Sequence, residues 1–255
     1  MKALYLAWQD PNTRRWLPVG QLTSKNGRYR FVYTKGALVS KNFVPFGPMR
    51  DLRSVYESTE LFPLFANRII SKNRPEYQQF LHWLNVPEDT TDPLDLLART
   101  EGIRGTDSLR VFPCPERHGN GPYQVHFFSH GLRYLPPESL RAVEELKPGT
   151  RLYPMIDVQN EHDSCAIALR AEQPTLLVGY APRYFAADFR KVLLGPSNET
   201  VQVFVERVNP EAPTQLRLLC RITAAWPKGF RPCTDRLYQL LTPSKKAKKT
   251  VKRKR

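Results

Sequence analysis

A polar segment at residues 160–163 places an amide, an imidazole and a carboxylate close together: Asn160, His162 and Asp163. The flanking segments RLYPMI (151–156) and AIALR (166–170) carry apolar residues at period-two spacing, which predicts two strands joined by this segment. Asn and Asp are favoured in turns because their side chains bond the local backbone. These residues alone therefore fit two explanations, formation of the turn and binding of a polar ligand.

The four cysteines favour reduced thiols over a disulfide framework or a zinc site. They are far apart along the chain, and no two of them form a CxxC pair. Cys114 with His118, and His162 with Cys165, have ligand-like spacing but lack the knuckle pattern typical of zinc sites. We therefore predict no metal site and no cofactor, and keep zinc as a minor alternative.

None of the other titratable side chains is predicted to act as a catalytic base. Asp92, Asp95 and Glu101 are better explained by capping and solvation of a short helix, and His126 and His130 by satisfied or solvent-facing imidazoles. The sequence has no Gly-rich phosphate loop with a lysine, no HRD-like or DFG motif, and no Walker, HExxH, GxSxG or dinucleotide fingerprint. We predict that the protein is not an enzyme.

The elements that position these residues fall on either side of a Gly/Pro loop, ERHGNGP, at 116–122. Before it, we predict a three-stranded meander at residues 3–8, 16–22 and 28–33. Two apolar helical stripes follow at residues 58–69 and 77–84, then a helix capped by Asp92 at 92–102 and a strand at 108–115. After it, we predict strands at residues 123–134, 151–156, 166–170, 175–180, 201–208 and 216–226, with helices at 136–148 and 183–195. The fold class is α+β, with a small β-sheet and helices over residues 1–118 and a partly open β-barrel with inserted helices over residues 119–242.

The net charge of +15 is concentrated at the end of the chain. Residues 1–120 carry +5, residues 121–242 carry +2, and the segment PSKKAKKTVKRKR (243–255) carries +8. Such a block repels itself and cannot bury apolar surface, so we predict a disordered arm attracted to polyanions through counterion release; a solubilising tail without a partner is the alternative. Its basic residues are Lys245, Lys246, Lys248, Lys249, Lys252, Arg253, Lys254 and Arg255.

The first residues alternate as a strand and do not resemble a signal peptide. No stretch reaches the 18 or so apolar residues that a membrane span requires. We therefore expect a cytoplasmic protein with no membrane partner.

Residues 123–225 resemble the HIRAN domain through three motifs in the family's order. They are LRY at 132–134, DVQNEHDSCAIAL at 157–169 and VGYAPR at 178–183. The family pattern has an Arg-Tyr pair, an Asn-Pro-Tyr-Asp turn leading into Asn-Ala-Ile, and Val-Gly-His with a basic residue three positions on. The resemblance implies an OB-like fold that holds the 3′ end of single-stranded DNA.

The same resemblance implies a role for each matching residue. The Arg-Tyr pair would bind the DNA backbone and stack on a base. The turn would face the terminal sugar, and its Asp would accept a hydrogen bond from the free 3′ hydroxyl. The last motif would contact the adjacent base and phosphate. The residues so predicted to bind nucleic acid are Arg133, Tyr134, Asn160, His162, Asp163, Tyr180 and Arg183.

This sequence departs from the family pattern at four of these motif positions. His162 stands in place of the turn tyrosine and Tyr180 in place of the histidine, so each exchange keeps a flat ring. Glu161 replaces a proline and Cys165 an asparagine, and Glu161 adds a negative charge beside the expected DNA.

The first half of the chain resembles the N-terminal subdomain of HipA-type toxin kinases over residues 2–115. The segments VGQLTSKNGRYRFVYTKGAL, PFGPM, ELFPLFANRI and DPLDLLARTEG, followed by DSLRVFP, occur in the family's order. In those kinases this small sheet with helices precedes the kinase core, but no kinase motif follows here. The resemblance implies a surface for a protein partner on residues 1–118.

These observations together predict a bacterial nucleic-acid-binding protein that binds single-stranded DNA, with preference for 3′ ends, in DNA repair or processing or in defence against mobile elements. The first alternative is a protein-interaction module of a toxin or defence system. A weaker alternative is a zinc-dependent hydrolase of acid anhydrides, an activity that larger HIRAN relatives carry.

Overall fold

Two antiparallel sheets organise the chain in the computed structural model, which describes residues 2–89 and 92–242. The predicted α+β class is confirmed, since helices accompany both sheets. The predicted disordered tail at 243–255, with its eight basic residues, lies outside the described residues.

The first sheet contains the predicted meander and has the strand order β4-β3-β2-β1-β5. The tight β2–β3 turn forms because Asn26 and Gly27 both adopt left-handed backbone angles (φ 50° and 73°), as a two-residue hairpin requires. Its strands are β1 (Lys2–Gln9), β2 (Trp16–Lys25), β3 (Arg28–Tyr33), β4 (Val55–Ser58) and β5 (Leu109–Pro113).

Three helices lie between β4 and β5: α1 (Pro63–Ala66), α2 (Tyr77–Leu84) and α3 (Pro93–Thr100). The predicted cap of α3 is confirmed, because the Asp92 carboxylate accepts a hydrogen bond from the Leu94 amide at 2.9 Å. The first apolar stripe forms only one helical turn. Beyond it, Arg68 binds the carbonyl oxygens of Leu64 and Gly102, at 2.9 and 2.8 Å.

The second sheet has the strand order β6-β11-β10-β7-β8-β9. Its strands are β6 (Tyr123–Phe128), β7 (Arg151–Ile156), β8 (Ile167–Arg170), β9 (Leu177–Tyr180), β10 (Gln202–Val208) and β11 (Leu218–Ala224). Helix α4 (Pro137–Glu145) precedes β7, and helix α5 (Arg183–Leu193) follows β9. The apolar residues Phe185, Phe189 and Val192 of α5 pack into the core on the inner face of this sheet.

The second sheet curls so that its two edges meet. Just after β6, the backbone of His130 pairs with Tyr180 at the end of β9, with N–H to O distances of 2.8 and 2.9 Å. The backbone passes this closely because residue 179 is glycine. A β-carbon there would lie 2.0 Å from the Ser129 hydroxyl oxygen, and its φ of +119° also disfavours other residues. The curled sheet fits the predicted OB-like fold, and we call this junction the barrel seam.

The two sheets share part of one core. Tyr5 and Phe112 of the first sheet lie in the apolar cluster of the second, and the Phe112 ring stacks on Tyr184 of α5 with centroids 4.7 Å apart. The chain then returns to the first sheet, where the Leu241 amide bonds the Tyr33 carbonyl at 2.9 Å. The predicted domain limits at residues 118 and 242 stay a prediction.

Within residues 2–89 and 92–242, none of the helices combines the length and apolar character needed to cross a bilayer.

Candidate nucleic-acid interface

The predicted binding residues lie around the barrel seam. Tyr180 is one of the seam residues, and the short helical turn Leu132–Tyr134 begins two residues after the other, His130. Helix α5 starts at Arg183, three residues after Tyr180, while the β7–β8 turn carries the polar segment. The curl of the sheet therefore brings together motifs that are about 20 to 50 residues apart in sequence.

The β7–β8 turn is organised by Asp157 and Asn160. The Asn160 side-chain oxygen accepts hydrogen bonds from the amides of His162 and Asp163 at 3.1 and 3.0 Å. Its NH₂ group donates to the Asp157 carboxylate at 3.1 Å. Both ends of the Asn160 side chain are thus engaged in shaping the turn.

Asp163 and Arg183 form an ion pair that joins this turn to the start of α5. The Arg183 Nε lies 3.2 Å from Asp163 Oδ2, while Asp163 Oδ1 accepts a hydrogen bond from the Cys165 amide at 3.0 Å. Arg183 also donates to the carbonyl oxygens of His162 and, at 3.1 Å, of Arg14. The Asp163 side chain keeps 19% of its surface exposed, so a ligand can still reach it.

Tyr180 joins the same network through Asp157. Its hydroxyl donates to Asp157 Oδ2 at 3.1 Å, and its ring lies 3.3 Å from the position that a β-carbon on Gly131 would occupy. Partial burial, followed by the hydrogen bond to Asp157 and that residue's negative charge, raises the pKa of the Tyr180 phenol. Tyr180 is thus held as a neutral hydrogen-bond donor at the edge of the turn.

Arg133 and Tyr134 form a separate pair on the other side of the seam. The Arg133 guanidinium lies over the Tyr134 ring, 4.6 Å from its centroid, and donates to the Tyr134 hydroxyl. Tyr134 is 74% exposed, and Arg133 is exposed as well. Among the described residues, no hydrogen bond or ion pair joins this pair to Asp163. The pair therefore presents a cation and a ring to the solvent.

A buried carboxylate behind the seam connects it to the first half of the chain. Glu101 is only 3% exposed, and its carboxylate lies 3.1 Å from the His130 ring and 3.8 Å from Arg110. Burial alone would raise the pKa of Glu101. The charge and hydrogen bond of His130, with Tyr184 and Arg110, outweigh burial and lower that pKa. The predicted role of Glu101 in helix solvation is wrong, because the structure buries it as the partner of His130.

The sequence interpretation missed three contributors to this site: Asp157, Glu101 and Arg14. Asp157 could have been found, because an Asp three residues before an Asn between two strands is a common turn pattern. The carbonyl of Arg14 and the carboxylate of Glu101 reach the seam from the first half, and no local pattern reveals them.

A cavity of about 680 Å³ lies away from the predicted residues, between the two sheets. It is lined in part by Arg99, Cys114, His118 and His126. Burial, with the nearby charge of Arg99, lowers the pKa of His126 to about 4. Within the part of the chain that the structure describes, no three His, Cys, Asp or Glu side chains group together in a way that could hold a metal ion.

The comparisons with known proteins concern the second half of the chain. Residues 122–226 match the sequence model of the HIRAN domain. No curated protein matches the chain significantly. The crystal structure of a protein from Lactobacillus plantarum is 16% identical, with a TM-score of 0.32 over 42% of this chain and 100% of that one. The crystal structure of the HIRAN domain of human HLTF is also 16% identical, with a TM-score of 0.30 over 41% of this chain and 74% of that one.

The resemblance noted over residues 123–225 is confirmed by this match, whereas the HipA-type resemblance of residues 2–115 stays a prediction. Structural similarity at these TM-scores does not indicate which residues bind a ligand. The sequence match identifies residues 122–226 as a HIRAN domain.

Proposed function

We propose that the protein binds single-stranded DNA through its HIRAN domain and holds the 3′ end at Asp163 and Arg183. The HIRAN match supports nucleic-acid binding in general. The observation that carries the finer proposal is the Asp163–Arg183 ion pair at the barrel seam. In this proposal the protein acts by binding rather than by catalysis, in the cytoplasm, in DNA repair or processing or in defence against mobile elements.

The ion pair explains how a carboxylate can lie beside DNA. An isolated carboxylate repels a phosphodiester, but Arg183 at 3.2 Å offsets the charge of Asp163. Arg183 uses three of its five N–H donors on protein oxygens, so donors remain for a phosphate. A terminal hydroxyl can donate to the exposed part of Asp163, whereas a terminal phosphate brings more negative charge and no donor at neutral pH.

Aromatic rings on both sides of the seam supply surfaces on which the bases of a single strand can stack. A base stacked on an aromatic side chain is stabilised by about 1–3 kcal/mol, whatever its identity. Tyr134 offers an exposed ring with a guanidinium on it, and Tyr180 offers a ring held in place by Asp157. Both are proposed contacts to bases near the end, together with the His162 ring in the turn.

Fluorescence anisotropy with 5′-labelled single strands ending in a 3′ hydroxyl or a 3′ phosphate tests this proposal. We expect about tenfold tighter binding of the hydroxyl end, the order of one charge-assisted hydrogen bond. Asp163→Asn keeps the side-chain shape and should abolish the preference, while Glu57→Gln, the same charge change on an exposed residue of β4, should retain it. Equal affinity of the wild-type protein for both ends would refute end recognition.

The basic segment 243–255 requires its own control, because counterion release can give affinity without the barrel. Titrations of the whole chain and of a chain ending at residue 242, each at two salt concentrations, separate the two contributions. We expect truncation to weaken binding and reduce its salt dependence but to keep the 3′-hydroxyl preference. Loss of all binding on truncation would show that the segment alone binds DNA.

A second candidate function is protein binding through residues 1–118. It is favoured by large apolar side chains that stay exposed between Leu38 and the start of strand β4. They are Leu38, Val39, Val44 and Val55. Replacing Leu38 and Val44 together by serine should abolish capture of such a partner by the whole chain, while leaving DNA binding unchanged.

A further inference from the structure

The outer face of the second sheet carries a line of alternating arginine and aromatic side chains. Register pairs place Arg170 beside Tyr153, Arg151 beside Phe204, and Phe204 beside Arg221. Arg151 and Tyr153 are two residues apart on β7, so all five point to one face. We call these five residues the arginine–aromatic row. Their neighbours Leu152, Val203 and Cys220 are buried in the core on the opposite face.

Guanidinium groups cover the rings of the row. Arg151 and Arg170 lie over the Tyr153 ring at 5.3 and 4.9 Å from its centroid, and Arg221 lies over Phe204 at 5.6 Å. Arg221 is also paired with Glu206. Among the described residues, no carboxylate forms an ion pair with Arg151 or Arg170. One carboxylate does lie at the row, because Glu172 accepts a hydrogen bond from the Tyr153 hydroxyl at 2.8 Å. With Glu172 counted, the two arginines still leave this part of the row with a net positive charge.

The row is open to solvent, unlike the end of the same face. Near β6 and β11, Phe128 and Leu219 are buried in a cluster with Leu81 and Leu84 of helix α2. Arg151 is exposed and the other members of the row are partly exposed, so this part of the face presents cations and rings to the solvent.

The row continues towards the proposed end site along the β7–β8 hairpin. Tyr153, Met155 and Asp157 alternate onto the same face, and Asp157 is the residue that holds the Tyr180 hydroxyl. Four residues separate Tyr153 from Asp157, which corresponds to about 13 Å of extended chain. Between them, Met155 is 43% exposed. An exposed apolar side chain therefore lies between the row and the end site.

We propose that this row is a second segment of the DNA-binding surface, which holds the nucleotides on the 5′ side of the end bound at Asp163. The inference rests on the proposed function and extends it along the hairpin. Arginine suits both parts of a nucleotide, since its plane stacks on bases and its N–H groups bind phosphate oxygens. Three strand intervals separate Arg170 from Arg221, so the row spans about 14 Å. This length fits two or three nucleotides.

Anisotropy with short and long strands tests this extension on the whole chain. The variant Arg151→Gln/Arg170→Gln removes the two arginine charges that lie over the Tyr153 ring. Its matched control, Lys25→Gln/Arg28→Gln, removes two exposed charges from the β2–β3 hairpin of the first sheet. We expect the first variant to bind a 12-nucleotide 3′-hydroxyl strand about tenfold more weakly and with a salt slope smaller by about one. Binding of a 3-nucleotide strand and the 3′-hydroxyl preference should stay unchanged.

The outcomes separate the row from the end site. Equal weakening by the control, equal weakening for both strand lengths, or no weakening would overturn the role of the row. If the length-dependent weakening occurs without any 3′-hydroxyl preference in the wild-type protein, the row binds DNA and end recognition is wrong. If an acidic peptide competes with the 12-nucleotide strand as strongly as unlabelled DNA does, the row is a protein-binding surface instead.

Photocrosslinking of the wild-type protein gives a readout that does not depend on the folding of a variant. A 12-nucleotide strand with 4-thiothymine at the fifth position from the 3′ end should form adducts with Tyr153, Met155 or Phe204, located by mass spectrometry of peptides. The same base at the terminal position should mark the region around Tyr180. Adducts of the internal base confined to residues outside 151–172 and 202–223 would overturn the inference.

Discussion

Replacing Glu101 by glutamine should destabilise the protein by about 2–3 kcal/mol at neutral pH. Removing one partner of a buried ion pair typically costs 3–5 kcal/mol because the other charges stay buried without compensation. Here His130 and Arg110 keep 30% and 21% of their side-chain surface exposed, so water compensates part of that loss. Glutamine has the same size, and the left-handed backbone at this position (φ 58°) disfavours both residues equally.

The pH dependence of the same variant gives an independent readout. Because the folded pKa of Glu101 is lowered, the unfolded chain takes up the proton first as the pH falls. The stability that Glu101 contributes is therefore present above its ordinary pKa and is lost as the pH falls towards the folded pKa. The stability curves of wild type and Glu101→Gln should accordingly converge in acid.

Urea unfolding followed by tryptophan fluorescence at several pH values between 7.5 and 3.5 measures both effects, with Glu57→Gln as the control on an exposed surface. A loss below 1 kcal/mol at pH 7.5, or curves that stay parallel down to pH 3.5, would refute the role assigned to the buried carboxylate. Coupling to His130 can be measured by a double-mutant cycle with His130→Gln, for which we expect at least 1 kcal/mol.

Three further experiments test the seam and the cavity between the two sheets. Gly179→Ala should destabilise the protein by more than 2 kcal/mol and weaken DNA binding, because a β-carbon would collide with the Ser129 hydroxyl; a normal unfolding midpoint would contradict this. Tyr180→Phe and Asp157→Asn should each cost about 1 kcal/mol and be non-additive in urea unfolding, since they share one hydrogen bond; full additivity would exclude that bond. The His126 imidazole should remain neutral at pH 6 in an NMR titration. Because its pKa is lowered on folding, it should cost about 2 kcal/mol of stability between pH 7.5 and pH 5, a loss that His126→Gln should lack.

Most secondary structure could be predicted because the local signals agree with the tertiary contacts. The β2–β3 hairpin follows from Asn26-Gly27 between alternating segments, and α3 from Asp92 followed by Pro93. The stripe at residues 58–69 formed only one helical turn, Pro63–Ala66, and the Arg68 side chain beyond it bonds the carbonyl oxygens of Leu64 and Gly102 and the Asp107 carboxylate. That arrangement depends on groups up to 39 residues away, which periodicity does not detect.

The motifs indicated residues that the structure brings close together, but not the contacts that connect them. Motif order indicated Asp163, Tyr180 and Arg183, yet the residue that links Tyr180 to the turn is Asp157, and the motif does not show that its carboxylate bonds Tyr180. The closure of the sheet at His130 and the approach of Glu101 arise from pairing between distant segments. Such contacts depend on how the sheet curls, and alternation along a single strand does not encode that curvature.

The polar segment at 160–163 can now be divided between turn formation and binding. Asn160 is accounted for by the turn, because both ends of its amide bond neighbouring groups. One oxygen of Asp163 is likewise used by the Cys165 amide. The other oxygen lies 3.2 Å from the Nε of Arg183 at the start of α5, and Arg183 also donates to the His162 carbonyl of the turn. The side chains of Asp163 and Arg183 keep 19% and 26% of their surface exposed, so water screens the pair and it adds at most about 1 kcal/mol of stability. Its proposed further role, contact with a 3′ hydroxyl, is the one that Asp163→Asn tests.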